Sequence, residues 1–430
     1  MRLSAFVVVR MSALDLTAAH DSQRGRRIVG TASNLTGSRP WLALTGLLFL
    51  LAGCAAVPLT QVSAGTNSTC TIDANGGLAC WGNNTFGQLG IGNFVPFPNP
   101  RAVTFFTSVT GLSVGNDFAC AISAGALFCW GKNDFGQLGN GTTTLANTPT
   151  PVTGLGSGVT AVAAGGSHAC AVHQRLWKCW GNNFHGQLGR GPFHGIGEGA
   201  LETTPQQVFG PFGVISLSPT ISAGDQHTCG TAVVDGMRKL FCWGFNNLSQ
   251  AGQPGGIEIV SPTEVKSPTG VQPIAVAASF QHSCGLYERH AGVDRGVFCW
   301  GNNFHGQLGL GNDFPGAHFQ PTQQAIDNTA AISTGPNACH TCSLARDGKM
   351  HCWGCNNFSQ IGDGTTTDRV SATIPVEMKS GVVQISVGGK HTCSWTSPGP
   401  HAFCWGRNTD GQLGVRDFAD RSTPTRVDGF

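Results

Sequence analysis

The sequence predicts an all-β fold, a seven-bladed β-propeller, and three observations carry that prediction. A Cys-Trp-Gly triplet recurs seven times, with its Trp at 81, 130, 180, 243, 300, 353 and 405. Leu59 to the C-terminus divides among these copies at about 53 residues each, which leaves nothing for a second domain. Within each unit, apolar and small residues alternate and are broken by Gly or Asp-Gly turns, with little of helical period. A unit of this size cannot bury both of its faces alone. Seven stacked radially in a closed ring cover one another and leave no long open edge.

Composition agrees with one repetitive β domain. Gly makes up 62 of 430 residues, without the strict triplet of collagen, and charged residues only 11%. A hydrophobic content of 40% supports a packed core and excludes general disorder. The net charge of +2 gives no electrostatic footprint for sequence-independent nucleic-acid binding. Seventeen cysteines are too many for a reduced cytosolic chain and point to an oxidising compartment or to metal.

The chain starts with an extension, residues 1–54, ahead of the propeller at 55–430. Trp41 to Gly53 is apolar, follows Arg39 and lies beyond Arg24, Arg26 and Arg27. It is too short to span a bilayer, which takes about 20 residues, but suits a secretory segment. It ends Leu51-Ala52-Gly53-Cys54, which resembles a bacterial lipoprotein box with Cys54 as the lipidated mature N-terminus. A plain signal peptide with an incidental Cys54, and hence a secreted protein, is the alternative. Ala55 after that cysteine favours the outer membrane. The stretch before Arg39 is long for a signal and suggests a start assigned upstream of the true one.

Each unit then has two halves. The first reads like Val162-Ala-Ala-Gly-Gly-Ser-His168-Ala-Cys170, a short turn, and Leu176-Trp-Lys-Cys179-Trp180-Gly181, which is a hairpin pattern. In the second half, Asn stands three residues after each Trp (Asn84 to Asn408), Gln seven after it (Gln88 to Gln412) and Gly nine after it (Gly90 to Gly414). Glycine suits a tight turn, Asn can bond nearby backbone, and Leu and Trp supply apolar area between blades.

Fourteen cysteines fall into one pair per unit: Cys70 with Cys80, Cys120 with Cys129, Cys170 with Cys179, Cys229 with Cys242, Cys284 with Cys299, Cys342 with Cys352, and Cys393 with Cys404. On antiparallel strands flanking a short turn, such partners face one another about 4.5 Å apart, within reach of a disulfide. The sixth unit adds Cys339 and Cys355, placed symmetrically about the same turn. In isolation the four cysteines resemble a zinc site. In an exported chain a second bridge, Cys339 to Cys355, is the preferred reading.

The pattern Gly-x-x-His-(Thr/Ser/Ala)-Cys followed by Cys-Trp-Gly-x-Asn-x-x-Gly-Gln-Leu-Gly resembles the regulator of chromosome condensation repeat. The resemblance covers essentially everything from Leu59 onward and implies a seven-bladed propeller. The paired cysteines depart from the nuclear members and are similar to a secreted bacterial branch.

No catalytic constellation stands out. The chain has no Gly-x-Ser-x-Gly, Gly-x-x-x-x-Gly-Lys or His-Glu-x-x-His, and Asp117, Asp225, Glu258, Asp313 and Asp363 fall in different units. His168, His227, His282, His340 and His391 precede the first cysteine of their units by two residues. Ser68 and Phe118 replace them in units one and two, which breaks a ring of metal ligands and favours a strand histidine with a local hydrogen bond. Neither a metal nor another cofactor is called for. Loops on a rigid scaffold carry binding, so the places that depart from the repeat are the candidates. These are Arg190–Pro211, with Phe193 and His194, and two extended hairpin tips, Asp235–Lys239 and Tyr287–Arg295, the latter with Tyr287, Arg289 and Arg295. The reading is a monomeric, envelope-anchored propeller that binds a protein or polysaccharide through these loops. The alternative is an enzyme or metalloprotein with its site at the central axis. Nucleotide exchange on a small GTPase, which the resemblance also raises, is disfavoured by export, disulfides and the absence of a basic tail.

Overall fold

The computed structural model describes residues 59–429, apart from 193, 194, 198, 211–215, 290–293, 312–315, 324, 325, 327 and 398–400. The extension and Cys54 lie outside the described residues. Among the described residues, twenty-eight strands form seven four-stranded antiparallel sheets, each built from consecutive strands. The blades run Leu59–Ala102, Val109–Pro151, Val159–Gln207, Ser216–Val265, Gln272–Gln323, Thr329–Thr373 and Val382–Arg426. The fold is a seven-bladed β-propeller.

The meander sorts the connections to two ends of the ring. The turn from first to second strand and the loop from third to fourth lie at one end, here the upper face. The hairpin from second to third strand and the link to the next blade lie at the other, the lower face. Register fixes this arrangement: in blade one Ala64 faces Thr69, Ser68 faces Gly82, and Gly82 faces Phe97.

The repeat-wide cysteines pair within their own blades, as directly opposite partners on second and third strands. Cys70 is bridged to Cys80, Cys120 to Cys129, Cys170 to Cys179 and Cys229 to Cys242. Cys284 is bridged to Cys299, Cys342 to Cys352 and Cys393 to Cys404. In all seven the Cα atoms are 4.1–4.2 Å apart. That is slightly closer than the 4.5 Å or so of an ordinary non-hydrogen-bonded strand pair. An eighth bridge joins Cys339 and Cys355, whose Cα atoms are 5.5 Å apart, so these two are partners of one another rather than members of a four-cysteine zinc site.

The fourteen central cysteines are buried, as are the seven repeat tryptophans, and both faces of a blade pack against neighbours. At 25 cal/mol per Å² or so, burial of a side chain as large as Trp is among the bigger local contributions to stability.

Each seam between blades is tied by the same bond. The Trp indole N–H of one blade donates to the Gln carbonyl of the blade before it, as Trp130 does to Gln88 and Trp243 to Gln187, both at 2.9 Å. The last of these bonds closes the ring, since Trp81 of blade one donates to Gln412 of blade seven at 2.9 Å. The Asn of the motif holds the loop that presents this carbonyl. Asn84 Oδ1 accepts from Leu89 N at 3.0 Å, while Nδ2 donates to the carbonyls of Asn93 and Val95 at 2.9 Å. At the axis the first turns approach closely: a Cβ on Gly65 would lie 2.4 Å from Gly115 O of the next blade, although blade five carries Ser279 at the matching place.

Candidate binding site: the upper face around the axis

The five histidines do not bond locally, as their sequence position suggested. Each reaches across a seam to a hydroxyl of the next blade: His168 to Thr228 (2.8 Å), His227 to Ser283 (2.8 Å), His282 to Thr341 (2.7 Å), His340 to Thr392 (2.8 Å) and His391 to Thr69 (2.9 Å). Those hydroxyls already donate their one proton to the seam carbonyl, Thr228 to Gln187 at 2.9 Å and Ser283 to Gln250 at 2.9 Å. They must therefore accept from the ring, which makes Nε2 the protonated nitrogen. Burial pushes all five down to about 3, so they stay neutral, with Nε2–H committed to the seam. Among the described residues no three His, Cys, Asp or Glu side chains converge as a metal site.

Just outside this seam the repeat stops being constant. The residue before each histidine position and the residue two after each Trp form a backbone-bonded cross-strand pair on the upper face, as in Asn83 N to Asn67 O at 2.9 Å. Seven such pairs surround the axis: Asn67 with Asn83, Asp117 with Lys132, Ser167 with Asn182, Gln226 with Phe245, Gln281 with Asn302, Cys339 with Cys355, and Lys390 with Arg407. All seven make the same backbone bond, and no two pairs have the same residues. Lys390 and Arg407 lie over the ring of Phe358, at 4.6 and 5.7 Å from its centroid. Asn302 donates to Gln281 at 2.9 Å.

Further in, Thr66, Asn116 and Asp225 form a chain across three blades. Thr66 Oγ1 donates to Asn116 Oδ1, and Asn116 Nδ2 donates to Asp225 Oδ1 at 3.3 Å. Burial lifts the Asp225 carboxyl to about 6, against the lowering effect of Asn116. Further out, Phe94, Leu145, Ile257, Phe304 and Phe418 stand exposed on the loops of the same face.

Comparison with known proteins identifies the architecture. The description "Regulator of chromosome condensation (RCC1) repeat" matches residues 75–122, 124–172, 179–230, 295–334, 347–395 and 401–430, and a second form of it matches 59–88 and 331–360. The chain belongs to the RCC1 repeat family. The matches skip 231–294, which holds the elongated hairpin of blade four and the beginning of that of blade five. The ultraviolet-B receptor UVR8 of Arabidopsis thaliana is 30% identical over 213 residues, covering 49% of this chain and 46% of UVR8. The human probable E3 ubiquitin-protein ligase HERC6 is 29% identical over 218 residues, covering 49% of this chain and 20% of HERC6. The chain thus spans less than half the length of these relatives. Two solved propellers share the fold at a TM-score of 0.67. Human WBSCR16 is 20% identical, with 82% of this chain and 93% of that one covered. Prp20p of Saccharomyces cerevisiae is 19% identical, with 87% and 88% covered.

On this RCC1-repeat ring the candidate loops take up different places from those expected. Arg190–Pro211 is not one loop, because Leu201–Gln207 is the fourth strand of blade three. Phe193 and His194 lie outside the described residues. The Tyr287–Arg295 tip is shorter than its sequence suggests, since the strands run to Arg289 and restart at Asp294. Tyr287 is therefore not a surface contact. It is fully buried, edge-on to Phe298 at 5.0 Å, in space opened by Gly285, where a Cβ would lie 2.4 Å from the Tyr287 ring. Arg289 and Arg295 sit on the lower face and are engaged within their own blade. Arg289 donates to Gln323 at 3.0 Å and pairs with Asp294 at 3.7 Å, and Arg295 pairs with Glu288 at 3.8 Å. The other elongated tip, Asp235–Gly236, is a two-residue turn with positive φ at both positions, and its Arg238 reaches Glu288 of blade five at 3.5 Å. The upper ring of pairs escaped sequence reasoning because each variable position is embedded beside a constant one. Aligning the seven units on Trp and scoring the columns that change would have exposed it.

Proposed function

We propose that this RCC1-repeat propeller is an exported scaffold that docks a protein partner on its upper face. The observation that carries the reading is the ring of seven cross-strand pairs: one shared backbone bond and seven different residue pairs around the axis, with exposed Phe, Leu and Ile on the loops further out. A surface of that kind combines the aromatic, arginine and amide groups that protein interfaces favour. A fold face of this width accommodates a standard interface of about 800 Å² per partner. Prp20p, which shares the fold, is described together with its binding to Gsp1p and histones, and a protein is the partner class carried over here.

Export rests on eight disulfides, which persist in oxidising compartments. Anchoring through Cys54 suits the chain path. The first strand enters the ring at Leu59 on the lower face, five residues after Cys54, so a lipidated Cys54 would leash that face within roughly 18 Å of a bilayer. The upper face would then point away from the membrane.

The test is capture of envelope and culture-fluid proteins by cross-linking, with upper-face variants (Phe304→Ala, Lys390→Glu) compared with lower-face ones (Phe105→Ala, Met237→Ala). Loss of a captured protein only with the upper-face changes supports the reading. Loss only with the lower-face changes, or capture of polysaccharide alone, overturns it.

A further inference from the structure

Eight disulfides look redundant until their surroundings are compared. The fourteen cysteines of the central pairs are all at 0% exposure, sealed between neighbouring blades. Cys355 is at 3%. Cys339 alone among the bridged cysteines is only half-buried. It ends a turn of six residues, 334–339, where each other blade has three between its first and second strands.

The bridge also sits where the six other blades have none. Six sister blades hold the corresponding pair with a backbone hydrogen bond and no bridge, such as Asn182 N to Ser167 O at 2.9 Å. Cys355 N makes the same bond to Cys339 O at 3.0 Å. The long turn has a further tie to blade five, Ser279 Oγ donating to Ala338 O at 2.6 Å. Breaking the bridge therefore removes nothing that the other six blades possess.

We infer that Cys339–Cys355 is a thiol-reactive site on the upper face, opened by a small thiol or by a cysteine of a partner while the propeller stays folded. Exchange requires a thiolate to reach a disulfide sulfur, and Cys339 offers the approach that the central pairs deny. The thiolate attacks Cys339 Sγ, forming a mixed disulfide, and Cys355 leaves as a thiolate that takes up a proton. A second thiolate then attacks the sulfur of the first thiol in the mixed disulfide. This releases Cys339 as a thiolate and carries the two reductant thiols away as their own disulfide. If the first thiol belongs to a partner, step one leaves that partner joined covalently at Cys339. The inference stands without the docking reading, because it concerns the bond itself.

The experiment is a dithiothreitol series on the folded, full-length protein at neutral pH, quenched with iodoacetamide and read by peptide mapping beside near-ultraviolet circular dichroism. Cys339 and Cys355 should be alkylated at reductant concentrations about ten-fold or more below those that open any central pair, with the dichroism unchanged. The double variant Cys339→Ser/Cys355→Ser should fold and show no alkylation in that range. The inference is overturned if no cysteine is labelled before global unfolding or if a central pair opens at the same concentration. A double variant that still labels, or that does not fold, overturns it equally.

Discussion

Five seams of the ring carry histidine and two do not, and the pair that replaces it is as informative as the five that keep it. Where blade three offers His168, blade four answers with Thr228. Where blade one offers Ser68 and blade two Phe118, the answering residues are Ala119 and Ala169. Phe118 fills the slot that histidine fills elsewhere: a Cβ on Gly115 would meet its Cε1 at 2.6 Å, as one on Gly165 would meet that of His168 at 2.7 Å. A hydroxyl appears in the next blade only where a ring N–H needs an acceptor. Residue choice in this repeat is set by pairs across neighbouring blades, because a buried polar group left without its partner costs about 1–3 kcal/mol.

The largest test of that contrast is acid. The folded histidines stay neutral down to about pH 3, whereas in the unfolded chain they protonate near 6.5. Stability from these seams is fully present above about 6.5 and is lost as pH falls toward 3. Protonation would also place an N–H on Nδ1, which has no protein acceptor at any of the five. Guanidinium unfolding with disulfides intact, followed from pH 7 to 4, should show a steep decline. A flat profile would mean that the rings are not neutral struts.

A single seam comes next. His227→Ala should cost about 2–4 kcal/mol, from the cavity and from Ser283 losing its donor. Ser68→Ala, in a seam with no answering hydroxyl, should cost under about 1 kcal/mol on the same assay. A smaller and sharper effect belongs to the transplanted pair. His168→Phe with Thr228→Ala recreates the Phe118/Ala169 seam, and the double variant should be more stable than the sum of its singles by about 1 kcal/mol. Simple additivity would show that the pairing is incidental.

A further effect has the opposite sign. Asp225 has its folded pKa raised to about 6 from 3.8, so its contribution to stability is present below about 3.8 and lost as pH rises through 6. Asp225→Asn keeps the acceptor for Asn116 and should raise stability at pH 7 by about 1–2 kcal/mol, with no gain at pH 4.

Much of this was legible in the sequence, and the reasons are local. The blade count follows from seven Trp-Gly-x-Asn copies, and the bridges follow from cysteines equidistant from a turn, including Cys339 and Cys355. What depends on a neighbouring blade was hidden. Glu288-Arg289-His290 looks like a loop because it is charged. The strand nevertheless runs on to Arg289, held by Glu288 to Arg238 of the neighbouring hairpin, and Tyr287 turns inward where both blade faces are covered. The histidine partners lie about 50–60 residues ahead, or behind across the closure, beyond the reach of any short motif.

The closure itself has a consequence for how the chain could be rewired. A ring can be latched by a strand borrowed from the far end, but here blade one is made of 59–102 and blade seven of 382–426, with only side-by-side bonds such as Trp81 to Gln412 at 2.9 Å and Arg416 N to Pro98 O at 2.8 Å between them. That junction carries the same Trp-to-Gln bond as the six that the backbone crosses. Its two loose ends, the start of the first strand and the end of the last, emerge on the lower face of adjoining blades. A circularly permuted gene that joins them by a short linker and begins instead at any other blade should fold to the same ring. The numbering of the blades is then a property of the gene, not of the molecule.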